Sequence, residues 1–343
     1  METQELSIIK KALKCGYESC GIIKADEMLG FADGIRKRIE KAPGNEDLYG
    51  RLLGFADLRE TYPWAKSLVV CIVSFCKYII PEHLDGLIGK NYLVDVRSNE
   101  DCKESIGSID FEKYLQSLGM EVATNRILGV TAMRLAAQKA GLGVVRKNNF
   151  FYTKDSGSWV HIEAFLTDRE MEYIHNPTGA PCPQECDRCI KACPTKSLSE
   201  PFTMSPATCI SPLTVRETDP INSPHGKQLG NWIYGCDVCQ DACPHNADKW
   251  PQTAAFPGLA ELADEITLEK IVLMDETRLS SLVADKFFYI GREQIWHWKV
   301  NALNAVFNNY DEKYADTIKA ALNDPNDNVR RTAKIIAEQK QIS

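Results

Sequence analysis

The chain carries two similar cysteine runs. Residues 182–194 read Cys-Pro-Gln-Glu-Cys-Asp-Arg-Cys-Ile-Lys-Ala-Cys-Pro, and residues 236–244 read Cys-Asp-Val-Cys-Gln-Asp-Ala-Cys-Pro. Both runs end in Cys-x2-Cys-x3-Cys-Pro, and Cys209 lies alone between them. Eight of the 13 cysteines therefore fall within about 60 residues. The first residues do not have the pattern of a secretory leader, so we expect a reducing compartment, where clustered cysteines hold metals more often than they form disulfides.

This spacing is that of bacterial ferredoxins with two [4Fe–4S] clusters, in which the last cysteine of each run binds the other cluster. The proline after that cysteine suits a helix start, where its missing N–H costs nothing. The rule predicts two crossed ligand sets, and Cys209 completes the second. Cluster A takes Cys182, Cys186, Cys189 and Cys243, and cluster B takes Cys193, Cys209, Cys236 and Cys239.

The pattern departs from a plain ferredoxin at two places, and other metal sites remain alternatives. Three residues rather than two separate Cys182 from Cys186, and Cys209 lies far upstream of Cys236. Two structural zinc ions would also use eight thiolates. The loop Cys182-x3-Cys186-x2-Cys189 also matches the three-cysteine loop of radical SAM enzymes, but the eight-cysteine pattern leaves no open iron. The other five cysteines are expected to be ordinary buried thiols.

Length and composition indicate a globular protein of more than one domain. The chain has 343 residues, of which 44% are hydrophobic and 25% charged, with a net charge of −7. One core stops growing near about 250–300 residues. Composition shifts predict domains at 1–175, 176–255 and 256–343. The longest apolar run, residues 67–75, is much shorter than the roughly 20 residues of a membrane span, so we expect a cytoplasmic protein with no membrane partner.

Hydrophobic patterning predicts an α+β fold. Strands are expected at 20–24, 67–76 and 158–167, and a helix over 126–140. Residues 81–107 are polar and irregular, which predicts a functional lid or a mobile segment. The region after 257 is expected to be helical to the end of the chain.

Five further segments resemble the epoxyqueuosine reductases, which are relatives of reductive dehalogenases. The order of segments along almost the whole chain is similar to that of the family. The cysteine-containing segments are more specific than a generic ferredoxin pattern. The five are Tyr62-Pro63-Trp64-Ala65-Lys66-Ser67, Ala140-Gly141-Leu142-Gly143, Asp155-Ser156-Gly157-Ser158, Cys209-Ile210-Ser211-Pro212-Leu213-Thr214 and Gly235-Cys236-Asp237-Val238-Cys239-Gln240-Asp241-Ala242-Cys243-Pro244.

The resemblance implies a fold, cofactors and an activity. It implies a nitroreductase-like amino-terminal domain, a ferredoxin-like module with two [4Fe–4S] clusters, and a helical HEAT-like carboxy-terminal domain. A base-off cobalamin would lie between the first two, and an external low-potential donor would supply electrons through the clusters. The expected function is a cobalamin-dependent iron–sulfur reductase. The alternative is a ferredoxin-type electron-transfer or corrinoid-handling protein that turns over no substrate.

The resemblance also implies an acidic proton donor 13 positions before Ala140, where this chain has Ile127. Loss of a general acid costs roughly 10²–10⁴ in rate. We therefore expect a small-molecule or modified-nucleoside substrate other than epoxyqueuosine. Tyr92, Arg126 and Tyr152 are weak candidates for a replacement proton donor or an anion clamp. A structural role explains each of them better: a loop anchor for Tyr92, a surface charge at a helix start for Arg126, and packing for Tyr152.

Four residues are candidates for contacts with cobalamin. Tyr152 follows Phe150 and Phe151 and could simply pack beside them. His161 lies within a predicted strand, where a histidine is more often part of the core. Ser211 and Thr214 follow the predicted cluster ligand Cys209, and their alternative role is helix capping.

The carboxy-terminal region leaves tRNA binding open without favouring it. Residues 276–343 contain ten Lys or Arg and nine Asp or Glu, so they lack the basic excess of a phosphate-binding surface. The small basic cluster Arg330, Arg331 and Lys334 also fits a solvated helix face.

Overall fold

The computed structural model describes residues 3–28, 30–41, 46–54, 58–176 and 179–342, and its architecture is mixed α+β. The strands are β1 (Ser19–Lys24), β2 (Ser67–Ser74), β3 (Val122–Thr124), β4 (Val144–Val145), β5 (Phe151–Tyr152), β6 (Val160–Thr167), β7 (Leu198–Glu200) and β8 (Thr203–Met204). The helices are α1 (Gln4–Lys14), α2 (Phe31–Lys41), α3 (Glu46–Leu53), α4 (Leu58–Thr61), α5 (Lys90–Leu93), α6 (Lys103–Ser117), α7 (Met133–Lys139), α8 (Arg188–Ala192), α9 (Ile210–Arg216), α10 (Val238–Asp241), α11 (Leu259–Glu265), α12 (Leu268–Leu273), α13 (Glu276–Val283), α14 (Trp296–Asn308), α15 (Ala315–Ala321) and α16 (Asp327–Lys340).

A four-stranded antiparallel sheet organises the amino-terminal half. Its strand order is β1-β2-β6-β3, and β2 is central and buried along nearly all its length. The apolar, β-branched composition of β2 suits a strand covered on both faces. The predicted strands at 20–24, 67–76 and 158–167 are confirmed, with ends that differ by one or two residues.

Helices cover both faces of this sheet. α1 and α6 lie on one face, and α7 packs against β2 and β6 on the other. α6 approaches the end of α1 so closely that a Cβ at Gly107 would lie 1.9 Å from the carbonyl oxygen of Cys15. Only glycine fits there.

The prediction of a lid over residues 81–107 is wrong. Leu84, Ile88, Leu93 and Val94 are fully buried, and α5 and the start of α6 lie within this range. The backbone N–H of Gly89 donates to the carbonyl oxygen of residue 234 at 2.9 Å, which ties the segment to the cysteine module. Its apolar residues are too irregularly spaced to show a period, so the sequence resembled a solvated loop.

The helix predicted over 126–140 is shorter than expected. α7 begins only at Met133, because Asn125 Oδ1 accepts hydrogen bonds from the N–H groups of Ile127 and Leu128. A side chain that bonds its own backbone in this way competes with helix formation. Gly129 then takes a φ of 79°. Residues 125–132 thus form a loop beside the sheet.

The carboxy-terminal helices α11 to α16 pack on one another and on the segment between the two cysteine runs. Trp298 stacks on Tyr234 at 5.1 Å, and Asn301 donates to the carbonyl oxygens of Thr214 and Ile233. Buried side chains from all three predicted regions form one continuous apolar cluster. The three-domain division remains a prediction. Among the described residues, no helix is both long enough and apolar enough to cross a bilayer.

Candidate functional site

One cavity brings together cysteines from both runs. It has a volume of about 200 Å³, and its lining includes Cys182, Cys186, Cys189 and Cys243. Cys189 lies in α8, whereas Cys243 directly precedes Pro244, the first residue of a short 3-10 helix. The last cysteine of the second run therefore lines the same cavity as three cysteines of the first run.

The remaining four cysteines of the module form a second group. Burial raises the pKa of the Cys236 thiol, and the charges of Cys209 and Cys193 raise it further. Burial also raises the pKa of the Cys239 thiol, and the charges of Cys236, Cys209 and Cys193 raise it further. The charge of Cys189, which belongs to the first group, also raises the pKa of Cys239, so the two groups are close enough to interact electrostatically. Each group offers four sulfur donors.

The turn between β4 and β5 contacts both cysteine groups, and no sequence pattern predicts this contact. Lys147 Nζ donates to the carbonyl oxygens of Pro183, Gln184 and Cys186 at 3.0, 2.7 and 2.9 Å. The neighbouring Asn148 Nδ2 donates to the carbonyl oxygen of Cys239 at 3.0 Å. These bonds join residues more than 30 positions apart, so no local pattern marks them.

A second contact docks the module onto the amino-terminal half just before β6. Asn246 Oδ1 accepts from the N–H of Ser158, and Asn246 Nδ2 donates to Ser158 Oγ at 2.8 Å. Ser158 Oγ in turn donates to Gln240 Oε1. Gly157 has a φ of 58°, and a Cβ there would lie 2.2 Å from Asn246 Oδ1, so a side chain at Gly157 would push the module away.

A larger cavity of about 760 Å³ lies between α2, the 128–135 segment and the β4–β5 turn. The charged side chains that line it among the described residues are all basic: Arg38, Arg134 and Lys139. Two buried oxygens at this wall, Thr131 Oγ1 and Asn149 Oδ1, have no hydrogen-bond partner. Buried polar atoms without partners are rare in native proteins, so these two oxygens are available to accept a hydrogen bond from a water molecule or a ligand.

A smaller cavity of about 180 Å³ adjoins it and is lined in part by Ile127, Phe151 and His161. Asp95 pairs with Arg97 through two hydrogen bonds at 2.9 and 2.8 Å, and His161 Nε2 lies 3.5 Å from Asp95. Burial and the charge of Arg97 lower the pKa of His161 to about 3. Its imidazole is therefore neutral at pH 7, and Nε2 makes no hydrogen bond.

The predicted cobalamin-contacting residues occupy different settings. Tyr152 is buried, accepts a hydrogen bond from Asn148 at 2.8 Å, and contacts the thiol of Cys243. His161 lines the smaller cavity. Ser211 bonds the Tyr92 hydroxyl at 3.2 Å. Thr214 is fully buried. Its hydroxyl donates a hydrogen bond to the carbonyl oxygen of Ser211 and accepts one from the N–H of Gly235. The structure therefore does not bring these four residues around one cavity.

The predicted catalytic candidates also lie apart. Tyr92 packs edge-on against Tyr234 and Tyr289, with ring centroids 4.9 and 6.1 Å away, and burial raises its pKa to about 12. Arg126 lines the smaller cavity, but its guanidinium binds Ser108 and Glu112.

Known proteins share the module and the fold. Residues 182–246 match the model of a 4Fe-4S double cluster binding domain. The chain is 28% identical over 257 residues to an epoxyqueuosine reductase from Cyclobacterium marinum, across 71% of this chain and 80% of that protein.

Solved structures cover nearly the whole chain. The epoxyqueuosine reductase of Streptococcus thermophilus superposes with a TM-score of 0.73 at 20% identity, across 99% of this chain and all of that one. An epoxyqueuosine reductase crystallised with an epoxyqueuosine-modified tRNA-Tyr stem loop gives 0.76 at 22% identity, across 96% of this chain and 88% of that one. The chain is thus similar in sequence to epoxyqueuosine reductases over 71% of its length, shares the fold of their solved structures, and carries a 4Fe-4S double cluster binding domain.

Proposed function

We propose that this protein is a cobalamin-dependent reductase that passes electrons through two [4Fe–4S] clusters to a base-off cobalamin. The observation that carries the proposal is the cavity where cysteines of both runs converge beside a larger basic cavity. The amino-terminal part is proposed to be nitroreductase-like and the carboxy-terminal helices HEAT-like, as the resemblance implies.

The donor sets fit two clusters. Cys182, Cys186, Cys189 and Cys243 would hold cluster A, because all four line one cavity. Cys193, Cys209, Cys236 and Cys239 would hold cluster B. Thiolates are the ligands that iron–sulfur clusters use. Burial raises the pKa of Cys236 and Cys239, so bound iron is what would keep these thiols deprotonated.

The basic cavity would hold part of a corrinoid. Its volume of about 760 Å³ lies within the range of about 300–1,000 Å³ for cofactor pockets. Cobalamin carries carboxamide arms and one phosphate. Thr131 Oγ1 and Asn149 Oδ1 are unpaired and would bond such amides. Desolvation and the charge of Arg38 lower the pKa of Arg134, and a phosphate between the two guanidinium groups would relieve this repulsion.

The protein's own residues set access and position. Cobalamin, when bound, would supply the metal-centred reducing chemistry that side chains lack. Ile127 and Phe151 contribute apolar surface to the smaller cavity. The ion pair of Asp95 with Arg97 fixes the 125–132 loop, since Arg97 Nη1 donates to the carbonyl oxygen of Ile127 at 3.0 Å. Asn148 donates both to the carbonyl oxygen of Cys239, a proposed cluster B ligand, and to the hydroxyl of Tyr152, so it fixes these two residues relative to each other.

The substrate is proposed to differ from epoxyqueuosine. No carboxyl group is among the described side chains that line the smaller cavity, and Ile127 occupies the position where the family has an acid. The imidazole in its wall, His161, is neutral at pH 7. We propose a small-molecule or modified-nucleoside substrate whose reduction draws no proton from a carboxylic acid in this cavity.

A second candidate function is electron transfer or corrinoid handling without turnover. The apolar lining at Ile127 favours it, because that position would bring no proton to a bound substrate. In both functions an external low-potential donor supplies the electrons.

A tRNA partner is not favoured. Arg330 pairs with Asp327, and Arg331 donates to Asn328. Trp298 is fully buried, and His297 bonds the carbonyl oxygen of Glu217. These contacts support a solvated helix face over a phosphate-binding surface.

Anaerobic reconstitution tests the proposal. The purified protein is loaded with iron and sulfide, iron is counted, cobalamin is added, and bound corrinoid is read by absorbance after gel filtration. Two clusters with bound corrinoid are expected, and Thr131→Val with Asn149→Leu should weaken corrinoid binding without loss of iron. Two clusters without bound corrinoid would contradict the reductase. Bound corrinoid with no turnover of any reducible substrate would favour the second candidate.

A further inference from the structure

Arg146 occupies an unusual electrostatic position. It is 4% exposed, yet among the described residues no carboxylate pairs with it. Its Nη1 lies 3.8 Å from Cys182 Sγ, and its guanidinium lies 5.2 Å from the ring centroid of Tyr152. Its Nε is buried without a hydrogen-bond partner. The guanidinium thus faces one cluster A cysteine directly, and it faces Cys243 through the tyrosine.

A buried, unpaired guanidinium costs free energy unless a nearby anion compensates it. Arginine stays protonated in proteins, so it cannot escape this cost by losing a proton. A cubane held by four thiolates carries net negative charge. Cluster A in the cavity that Arg146 lines would therefore supply the missing counter-charge.

The other basic residues of this cavity act differently. Lys147 donates its amine to three backbone carbonyls of the 182–186 loop, and Arg188 is exposed to solvent. Water screens an exposed charge, whereas a buried one acts at low dielectric. Arg146 is therefore the basic side chain whose charge acts most directly on cluster A.

We propose that Arg146 is an electrostatic tuning residue that raises the reduction potential of cluster A. The inference rests on the proposed ligand sets. Reduction adds one electron to the cluster and forms or breaks no bond to Arg146. The added negative charge lies beside a fixed positive charge, so the reduced form is stabilised.

Potentiometric titration followed by EPR tests this proposal. Wild type, Arg146→Gln, Arg146→Lys and Arg188→Gln are reconstituted without oxygen, and iron is counted in each. Cys209→Ala, or Cys193→Ala if the first does not fold, removes cluster B and identifies the midpoint of cluster A. Arg146→Gln should lower that midpoint potential by at least about 59 mV, which corresponds to a tenfold change in the one-electron equilibrium. Arg146→Lys should keep most of the wild-type value.

The matched control distinguishes the effect of a buried positive charge on the midpoint potential from the effect of a change in the protein's net charge. Arg188→Gln removes the same charge from the same cavity and should shift the cluster A midpoint much less. Full iron with an unchanged midpoint in Arg146→Gln would overturn the proposal, and so would an equal shift in both variants. Wild type with only one cluster would contradict the ligand sets instead, so the two failures are distinguishable.

Discussion

The side-chain amide of Asn148 donates a hydrogen bond to the carbonyl oxygen of Cys239 over 3.0 Å. The same nitrogen donates to the hydroxyl of Tyr152 over 2.8 Å. One buried amide thus joins the sheet half of the protein to the second cysteine run.

Asn148→Ala should destabilise the protein by about 1–3 kcal/mol, because it leaves a buried carbonyl and hydroxyl without their donor. Urea unfolding of the reconstituted protein measures this loss, and iron release to a chelator should be faster. Asn222→Ala, in an exposed turn, serves as the control and should change stability by less than about 0.5 kcal/mol. Equal stability of the Asn148 variant and wild type would contradict this stabilising role of the Asn148 amide.

Single cysteine variants test the crossed ligand sets. Cys243→Ala should damage cluster A although it lies in the second run, and Cys193→Ala should damage cluster B although it lies in the first. The reason is that Cys243 lines the cavity of Cys182, whereas Cys193 neighbours Cys236. Iron content should fall by about half in each, and EPR should show which signal is lost. If each variant loses the cluster of its own run, the pairing is not crossed.

Acid should destabilise the protein through His161 and Asp95. The folded pKa of His161, about 3, lies below its usual value near 6.5. Its contribution to stability is complete above about pH 6.5 and is lost as the pH falls toward 3, with a slope of about 1.4 kcal/mol per pH unit.

Asp95 adds a second window of the same sign. Against the effect of burial, the charge of His161 and the hydrogen bonds of Arg97 lower its pKa to about 2. That contribution is complete above about pH 4 and is lost between pH 4 and 2. Urea midpoints from pH 7 to 4 measure the first window, and His161→Phe should flatten it. A flat wild-type profile between pH 6.5 and 4 would contradict the neutral buried imidazole.

Ile127→Asp tests the proposed change of substrate. Wild type should reduce epoxyqueuosine slowly or not at all, and the aspartate should raise the rate by about 10²–10⁴ because it supplies a general acid. Ile127→Asn has the same shape without the acid and should give no gain. Turnover is measured by product formation with loaded protein. Fast epoxyqueuosine reduction by wild type would remove the basis of this proposal.

A buried ion pair stabilises the carboxy-terminal helices. Lys299 Nζ lies 2.6 Å from Asp324 Oδ2, and both side chains are about 5% exposed or less. Lys299→Ala should cost about 3–5 kcal/mol because it leaves an unpaired buried carboxylate. The double variant Lys299→Met with Asp324→Leu should recover most of that loss in thermal unfolding. A single variant as stable as wild type would show that the pair is not buried in solution.

Two parts of the structure could not be predicted from the sequence, because they depend on tertiary contacts or on a side chain bonding the backbone. The buried segment 81–107 has apolar residues without a period, so its packing against Tyr234 shows only once the module is folded. The loop at 125–132 depends on the side chain of Asn125, which overrides a helical pattern. Both are tertiary or side-chain effects that outweigh local propensity.

The sequence by itself determined the features that depend on short spacing. These are the cysteine runs with their proline ends, the central strand β2, and the resemblance of five segments to the epoxyqueuosine reductases. Only the tertiary structure brought Arg146 to Cys182, Asn148 to Cys239 and Asp95 to His161. These pairs are separated by tens of residues, and their energies arise from burial and charge at close range, which no linear pattern records.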